Sequence, residues 1–197
     1  MGLAYHKTNE VDLGEVPMPL LKPYSTATDY CNLPEGVRAE LIDGELWNLA
    51  SPSRIHQKIV YELGRCLGDY IDRHDGSCEV YPGPFAVNLF ADESTFVEPD
   101  ISVVCDSSKL SERGCEGAPD FIAEVTSPSN SGMDYISKLH LYRDAGVREY
   151  WICDPQKRQV IAYRFDEEPV ATVYKFDDEV QSSLFEGFSI CFAQVVR

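Results

Sequence analysis

The sequence lacks any apolar run that could span a membrane, and it is short of positive charge. No stretch approaches the roughly 18 consecutive apolar residues of a membrane-spanning helix. Its 17 lysine and arginine residues face 33 aspartate and glutamate residues, for a formal net charge of −16. Nucleic-acid binders normally carry a basic patch, so this charge excludes tight, indiscriminate binding of DNA or RNA.

Paired cysteine motifs are also missing. The seven cysteines are an odd number, and no two of them have CxxC spacing. This pattern indicates neither a zinc site nor a disulfide framework. The first 21 residues mix charged with apolar side chains, and no signal peptide is visible among them. The sequence therefore predicts a reduced, soluble, cytoplasmic protein with no membrane partner.

Composition and length favour one globular domain. Hydrophobic residues make up 44% and charged residues 25% of the 197 residues, which is ordinary for a folded protein. Residues 1–33 contain three prolines and no clear period, so we interpret them as an N-terminal arm with one short helix at Ser25–Asn32. A single domain is expected over residues 34–197.

Hydrophobic periodicity predicts a mixed sheet flanked by helices. Asp43-Gly44 lies between two extended runs and indicates a hairpin. One helix is predicted from Ser53 to about His74 and a second over about Asp134–Ala145. Strands are predicted at Cys78–Tyr81, Phe85–Leu89, Asp100–Cys105, Phe121–Val125, Tyr150–Cys153, Val160–Phe165 and Val170–Phe176. The last two form a C-terminal hairpin around the acidic loop at 166–168, and the fold class is α/β (α+β).

Two acidic residues are predicted to meet at one edge of this sheet. Asp100 begins one predicted strand, and Glu124 lies near the end of another, inside the apolar run Phe121–Val125. If the two strands are antiparallel neighbours, the two carboxylates lie side by side. Clustered carboxylates repel each other, and a hard cation such as Mg²⁺ relieves that repulsion. An acid within an apolar run is costly unless it is paired or bound to metal, so we favour a functional role for Glu124.

Lys138 flanks the face of the second helix that packs on the sheet. The strand that contains Glu124 precedes this helix. A lysine there can approach the end of that strand. A metal ion with a nearby lysine suits phosphodiester hydrolysis, because the cation polarises phosphate and activates water while the ammonium offsets developing charge. The alternative for Lys138 is a helical ion pair with Asp134.

At these positions the sequence resembles the PD-(D/E)XK nuclease superfamily and, more closely, the Uma-type restriction endonuclease family. The resemblance covers about residues 30–165. Its carriers are Glu40-Leu-Ile-Asp-Gly-Glu45, His56, Glu98-Pro-Asp100, Glu124-Val-Thr-Ser-Pro-Ser129, Asp134-Tyr-Ile-Ser-Lys138, Tyr142 and Gly146–Pro155.

The resemblance implies a restriction-endonuclease-like fold, cleavage of DNA with Mg²⁺ or Mn²⁺, and a homodimer. It makes Asp100 and Glu124 the metal ligands, and His56 and Glu40 supporting site residues. The superfamily lysine position holds Thr126 here, and Lys138 on the following helix takes that role in the Uma-type pattern. Without the resemblance, His56 is equally explained as a core histidine and Glu40 as an exposed strand acid.

Two other function classes stay open from the residues alone. A non-catalytic interaction protein that keeps the nuclease fold would suit the charge of −16, by binding a basic partner or mimicking nucleic acid. A two-carboxylate hydrolase such as a glycosidase is the weaker alternative, because the sequence shows no aromatic-rich sugar cleft.

Overall fold

The computed structural model describes residues 25–92, 94–127, 131–165 and 170–196, and for residues 131–136 the backbone alone. The first 24 residues of the predicted arm, the acidic loop at 166–168 and the side chain of Asp134 lie outside the described residues. Within the described part, none of the helices combines the length and apolarity needed to cross a membrane.

Four α-helices occur among the described residues, besides one 3-10 turn at Ser107–Lys109. They are α1 (Ala27–Cys31), α2 (Arg54–Arg73), α3 (Ser131–Ala145) and α4 (Phe192–Val195). The Ser53 side chain caps the start of α2 by accepting a hydrogen bond from the backbone N–H of His56. α3 ends before Gly146, whose φ of +96° is the left-handed conformation typical of a helix C-terminus.

The larger part of the core is built on one mixed six-stranded sheet. Its spatial order is β12 (Val170–Lys175), β11 (Gln159–Arg164), β10 (Glu149–Asp154), β9 (Phe121–Val125), β6 (Ile101–Val104) and β3 (Glu79–Pro82). β9 and β10 are parallel and are joined through α3, while β6 and β9 are antiparallel. The sheet thus has the predicted strand–helix–strand unit beside an antiparallel pair.

A second six-stranded sheet, of much shorter strands, packs alongside. Its order is β2 (Glu45–Asn48), β1 (Ala39–Ile42), β5 (Phe96–Val97), β4 (Val87–Asn88), β8 (Gly114–Glu116) and β7 (Leu110–Ser111). A small pair, β13 (Val180–Gln181) and β14 (Ser189–Ile190), lies near the C-terminus. The β1–β2 hairpin turns at Asp43-Gly44, where both residues have positive φ as an Asp-Gly hairpin turn requires.

The central strands are buried on both faces, as their continuous apolar pattern predicts. Every residue of β6, β9 and β10 is buried. One face packs against the apolar stripe of α2, including Ile59, Leu63 and Leu67. The other face carries Ile122 and Ile152 and packs with Tyr142 of α3. This double cover confirms a mixed sheet flanked by helices, and the second sheet is an addition that sequence periodicity did not predict.

The prediction that the cysteines are reduced was wrong for one pair. Cys78 and Cys105 form a disulfide, although they are 27 residues apart in sequence. β3 pairs antiparallel with β6, and Cys78 and Cys105 immediately flank the Glu79–Val104 pair at one end of this ladder. Strand pairing therefore brings together two cysteines that no spacing motif connects. The other cysteines described, which include the buried Cys115 and Cys153, are free thiols.

Candidate active site

The two predicted carboxylates lie side by side where β6 begins and β9 ends. The antiparallel register pairs Ile101 with Ala123, which places Asp100 level with Glu124. The backbone N–H of Val125 donates to Asp100 Oδ2 at 2.8 Å, and the N–H of Asp100 faces Glu124 Oε2 at 3.4 Å. The sheet itself thus fixes the distance between the two acids. Glu124 is buried, whereas the Asp100 side chain keeps 23% of its surface exposed.

Lys138 reaches the same point from α3. Its Nζ donates to Glu124 Oε1 at 2.8 Å and to Glu40 Oε1 at 2.9 Å, and all three side chains are buried. The two contacts compensate the desolvation of the ammonium, which is expensive for an isolated charge. The approach of Lys138 to the Glu124 strand end is as the helical pattern predicts.

Tyr142 contributes to this centre in a way that sequence reasoning missed. It lies one helical turn after Lys138, and its hydroxyl donates to Glu124 Oε1 at 2.7 Å. Burial, and next the Glu124 carboxylate, raise the pKa of Tyr142 well above its ordinary value, so the phenol stays a donor. The i, i+4 spacing from Lys138 was the available signal, but a tyrosine on a packing face is also an ordinary core residue.

Glu40 is tied to the centre through Glu98 as well as through Lys138. The backbone N–H of Glu98 donates to Glu40 Oε1 at 3.0 Å. The Glu98 side chain in turn accepts from Arg38 Nε at 2.9 Å and pairs with a second guanidinium nitrogen of Arg38 at 2.8 Å. Strand β1 and the Glu98-Pro99-Asp100 segment are therefore joined by charged contacts. Neither Arg38 nor Glu98 stood out in the sequence as a site residue.

His56 approaches Asp100 from the first turn of α2. Its Nε2 lies 3.1 Å from Asp100 Oδ2, while Nδ1 is buried and has no hydrogen-bond partner among the described residues. An unsatisfied buried polar atom is unusual in a structural histidine and favours a site role for His56.

These side chains border a cleft of about 220 Å³. Its walls include Arg38, residues 49–53, the first turn of α2 and Gly83. Gly83 donates its N–H to the Asp100 carbonyl at 2.9 Å, and a Cβ at this position would lie 3.0 Å from the Pro99 carbonyl oxygen. A glycine is therefore needed where the chain passes this close to the acidic segment.

The donor set fits a hard divalent cation. Four carboxylates (Glu40, Glu98, Asp100 and Glu124) meet two permanent cations (Arg38 and Lys138), so two negative charges remain when His56 is neutral. Among the described residues, no three side chains of histidine, cysteine or acidic type converge as a complete metal cage. Mg²⁺ typically takes only one or two carboxylates and fills its other positions with water and phosphate oxygens, a number of carboxylates that Asp100 and Glu124 could supply.

Fold and site together define a restriction-endonuclease-like protein, and the comparisons name its family. A crystal structure of a putative nuclease of the group DUF820 from Anabaena variabilis ATCC 29413 superposes with a TM-score of 0.70. The match covers 87% of this chain and 97% of that one at 21% identity, so it establishes the fold. The chain belongs to the Uma2 family, described as "Putative restriction endonuclease", whose profile matches residues 27–193.

Two relatives from Synechocystis sp. (strain PCC 6803) are similar in sequence. The protein sll1609 is 28% identical over 134 residues, which cover 66% of this chain and 74% of its own length. The protein slr1290 is 27% identical over 128 residues, which cover 64% of each chain. Family and fold thus support a nuclease-like protein, and the roles of the individual side chains stay predictions.

All five predicted site residues converge on one centre. Asp100, Glu124, Lys138 and His56 line the cleft, and Glu40 lies behind them in contact with Lys138. The structure adds a buried donor, Tyr142, and a charged pair at the cleft wall, Arg38 with Glu98. Each addition depends on contacts between segments distant in sequence.

Proposed function

We propose that this protein is a divalent-metal-dependent endodeoxyribonuclease that hydrolyses phosphodiester bonds. The observation that supports it best is the meeting of Asp100, Glu124 and Lys138 at one open end of the central sheet. Asp100 and Glu124 would hold Mg²⁺ or Mn²⁺, which when bound polarises the phosphate and activates a water molecule.

Neighbouring side chains would fix the orientation of the two carboxylates and of Lys138. His56 places its Nε2 3.1 Å from Asp100 Oδ2 and would help to orient that carboxylate. Lys138 and Tyr142 both donate to Glu124 Oε1, which fixes the orientation of that carboxylate. Lys138 also places a positive charge beside the reacting phosphate and orients the attacking water. Glu40 holds Lys138 in place from behind.

The net negative charge of the chain limits how tightly the proposed nuclease can bind DNA. At −16, the protein repels DNA at long range, so binding is expected to be weak, salt-sensitive and dependent on metal. By sequence, residues 131–165 carry a net positive charge. A homodimer that brings two copies of this segment together would form a groove for DNA.

The same charge favours one rival, an interaction protein without catalysis. Against it, Glu40 and Glu124 are buried and paired with Lys138, whereas a nucleic-acid mimic needs exposed acids in a surface row. Metal binding separates the two candidates, since the rival gives the carboxylate pair no ligand.

The deciding experiment is titration of Mg²⁺ and Mn²⁺ by calorimetry, with plasmid nicking on the same samples. The variants are Asp100→Asn and, as a matched control, Asp72→Asn at the exposed far end of α2. Wild type and Asp72→Asn are expected to bind metal and nick DNA, and Asp100→Asn to do neither. If wild type binds no metal even with DNA present, and leaves the plasmid intact, the nuclease proposal is wrong.

A further inference from the structure

Arg38 presents a positively charged group at the wall of the cleft. Glu98 holds it through Nε and one terminal nitrogen, which occupies two of the five N–H donors of the guanidinium. The Arg38 side chain is 38% exposed, whereas its partner Glu98 is 12% exposed. The pair therefore fixes the direction of the guanidinium and leaves donors for a ligand in the cleft.

The other basic side chains of the cleft already contact carboxylates of the proposed centre. Lys138 is enclosed by two carboxylates, Glu40 and Glu124, which together exceed its charge. His56 faces Asp100. Arg38 is thus the exposed permanent cation among the described residues that line this cleft, and an arginine fork matches the geometry of phosphate oxygens.

The wall formed by residues 51–53 also favours an anion. Ser51, Pro52 and Ser53 lead into α2, a helix of 20 residues whose N-terminus carries a partial positive charge. His56 in the same turn also lines the cleft, and its buried Nδ1 has no hydrogen-bond partner among the described residues. A polar ligand at this end of the cleft therefore meets the helix terminus as well as Arg38.

Arg38 lies close to the proposed metal centre through Glu98. Only Pro99 separates Glu98 from Asp100, so the backbones of these two residues are at most about 7 Å apart. One nucleic-acid strand can therefore reach both groups at once. This spacing fits a phosphate-binding site that lies beside the scissile bond, on the same strand.

We infer that Arg38 and the start of α2 bind the phosphate next to the scissile one in a nucleic-acid strand. This inference rests on the proposed function, because it takes Asp100 and Glu124 as the reacting centre. It makes Arg38 a substrate-binding residue and Glu98 the residue that positions it. In this way a protein of net negative charge can bind a polyanion at one local site, without a broad basic surface.

The test measures binding of a short fluorescein-labelled DNA duplex by anisotropy, with Ca²⁺ in place of Mg²⁺ to suppress cleavage, over a series of salt concentrations. Arg38→Gln is compared with Arg113→Gln, which removes the same charge from an exposed turn between β7 and β8. Arg38→Gln is expected to weaken binding about tenfold and to lower the slope of log affinity against log salt by about 0.9. Arg113→Gln keeps the wild-type slope. An unchanged slope and affinity in Arg38→Gln overturn the inference.

Two further variants keep the result interpretable. The double variant Arg38→Gln/Glu98→Gln preserves a hydrogen-bonded pair without charge, so a binding loss shared with Arg38→Gln does not stem from an unpaired Glu98. Plasmid nicking with Mg²⁺ separates the two proposals, since Asp100→Asn abolishes it, whereas the difference in salt slope between wild type and Arg38→Gln is measured without cleavage. Nicking by wild type together with normal binding by Arg38→Gln rejects this inference alone. If wild type binds neither metal nor duplex and leaves the plasmid intact, both proposals are wrong.

Discussion

Individual residues at the site differ in how far the sequence alone reveals them. Glu124 was predicted because a carboxylate inside an apolar strand has few explanations other than pairing or metal binding. From sequence, a tyrosine on the packing face of a helix is explained as a core residue; Tyr142 is buried, but its hydroxyl also donates to Glu124. The second role depends on where β9 lies relative to α3, which local pattern does not encode.

Replacement of Tyr142 by phenylalanine tests this positioning role. The variant removes one donor to a buried carboxylate, so the free energy of unfolding in urea is expected to fall by about 2 kcal/mol. Because partners of a metal-holding carboxylate orient it, metal affinity and nicking are expected to fall about ten- to hundredfold. Tyr61→Phe, at an exposed position of α2, serves as the control. Loss of stability with unchanged metal affinity would leave Tyr142 a structural residue only.

At the scale of elements, prediction succeeded where signals are contiguous in sequence. The helix α2, the β9–α3–β10 unit and the β1–β2 hairpin carry their own periodicity, caps and turn residues, and the structure has each of them. The second sheet was not predicted as a sheet. Val87–Asn88 lies within the predicted strand Phe85–Leu89, but Phe96–Val97 and Leu110–Ser111 have only two residues each and no detectable period. Pairing between distant segments determines them, as it determines the Arg38–Glu98 pair.

The same limit explains the missed disulfide, which links the ends of β3 and β6. Breaking it by Cys78→Ser/Cys105→Ser removes a cross-link over 27 residues, so the free energy of unfolding is expected to fall by about 3 kcal/mol. Cys31→Ser, at an exposed free thiol, is the control. Thiol titration of the unfolded, unreduced wild type should find five reactive groups, and seven after reduction. Seven groups before reduction would show that these cysteines are not linked in solution.

For the whole molecule, the charge of −16 and the local charge of the cleft have separate consequences. Uniform acidity acts over long range, is screened by salt and opposes approach of any polyanion. The two excess negative charges near Asp100 and Glu124 act at short range, where a divalent ion can bind them directly. A cation that stabilises the protein by general screening should therefore be distinguishable from one bound at the site.

Thermal unfolding with added Mg²⁺ makes that distinction. A ligand that binds the folded state alone, at a hundredfold excess over its dissociation constant, contributes about 2.7 kcal/mol. For a chain of this size that corresponds to a rise in Tm of about 5–10 °C. Wild type and Asp72→Asn are expected to show this rise, and Asp100→Asn to lose it, because the substitution removes one of the two carboxylates proposed to hold the metal.

The control is Na⁺ at matched ionic strength. General screening of the excess acidic charge would raise Tm with Na⁺ as much as with Mg²⁺, and equally in all three proteins. That outcome would contradict a metal site between β6 and β9. A rise specific to Mg²⁺ and dependent on Asp100 would instead show that the carboxylate pair binds the ion, because Asp100→Asn and Asp72→Asn have the same formal net charge.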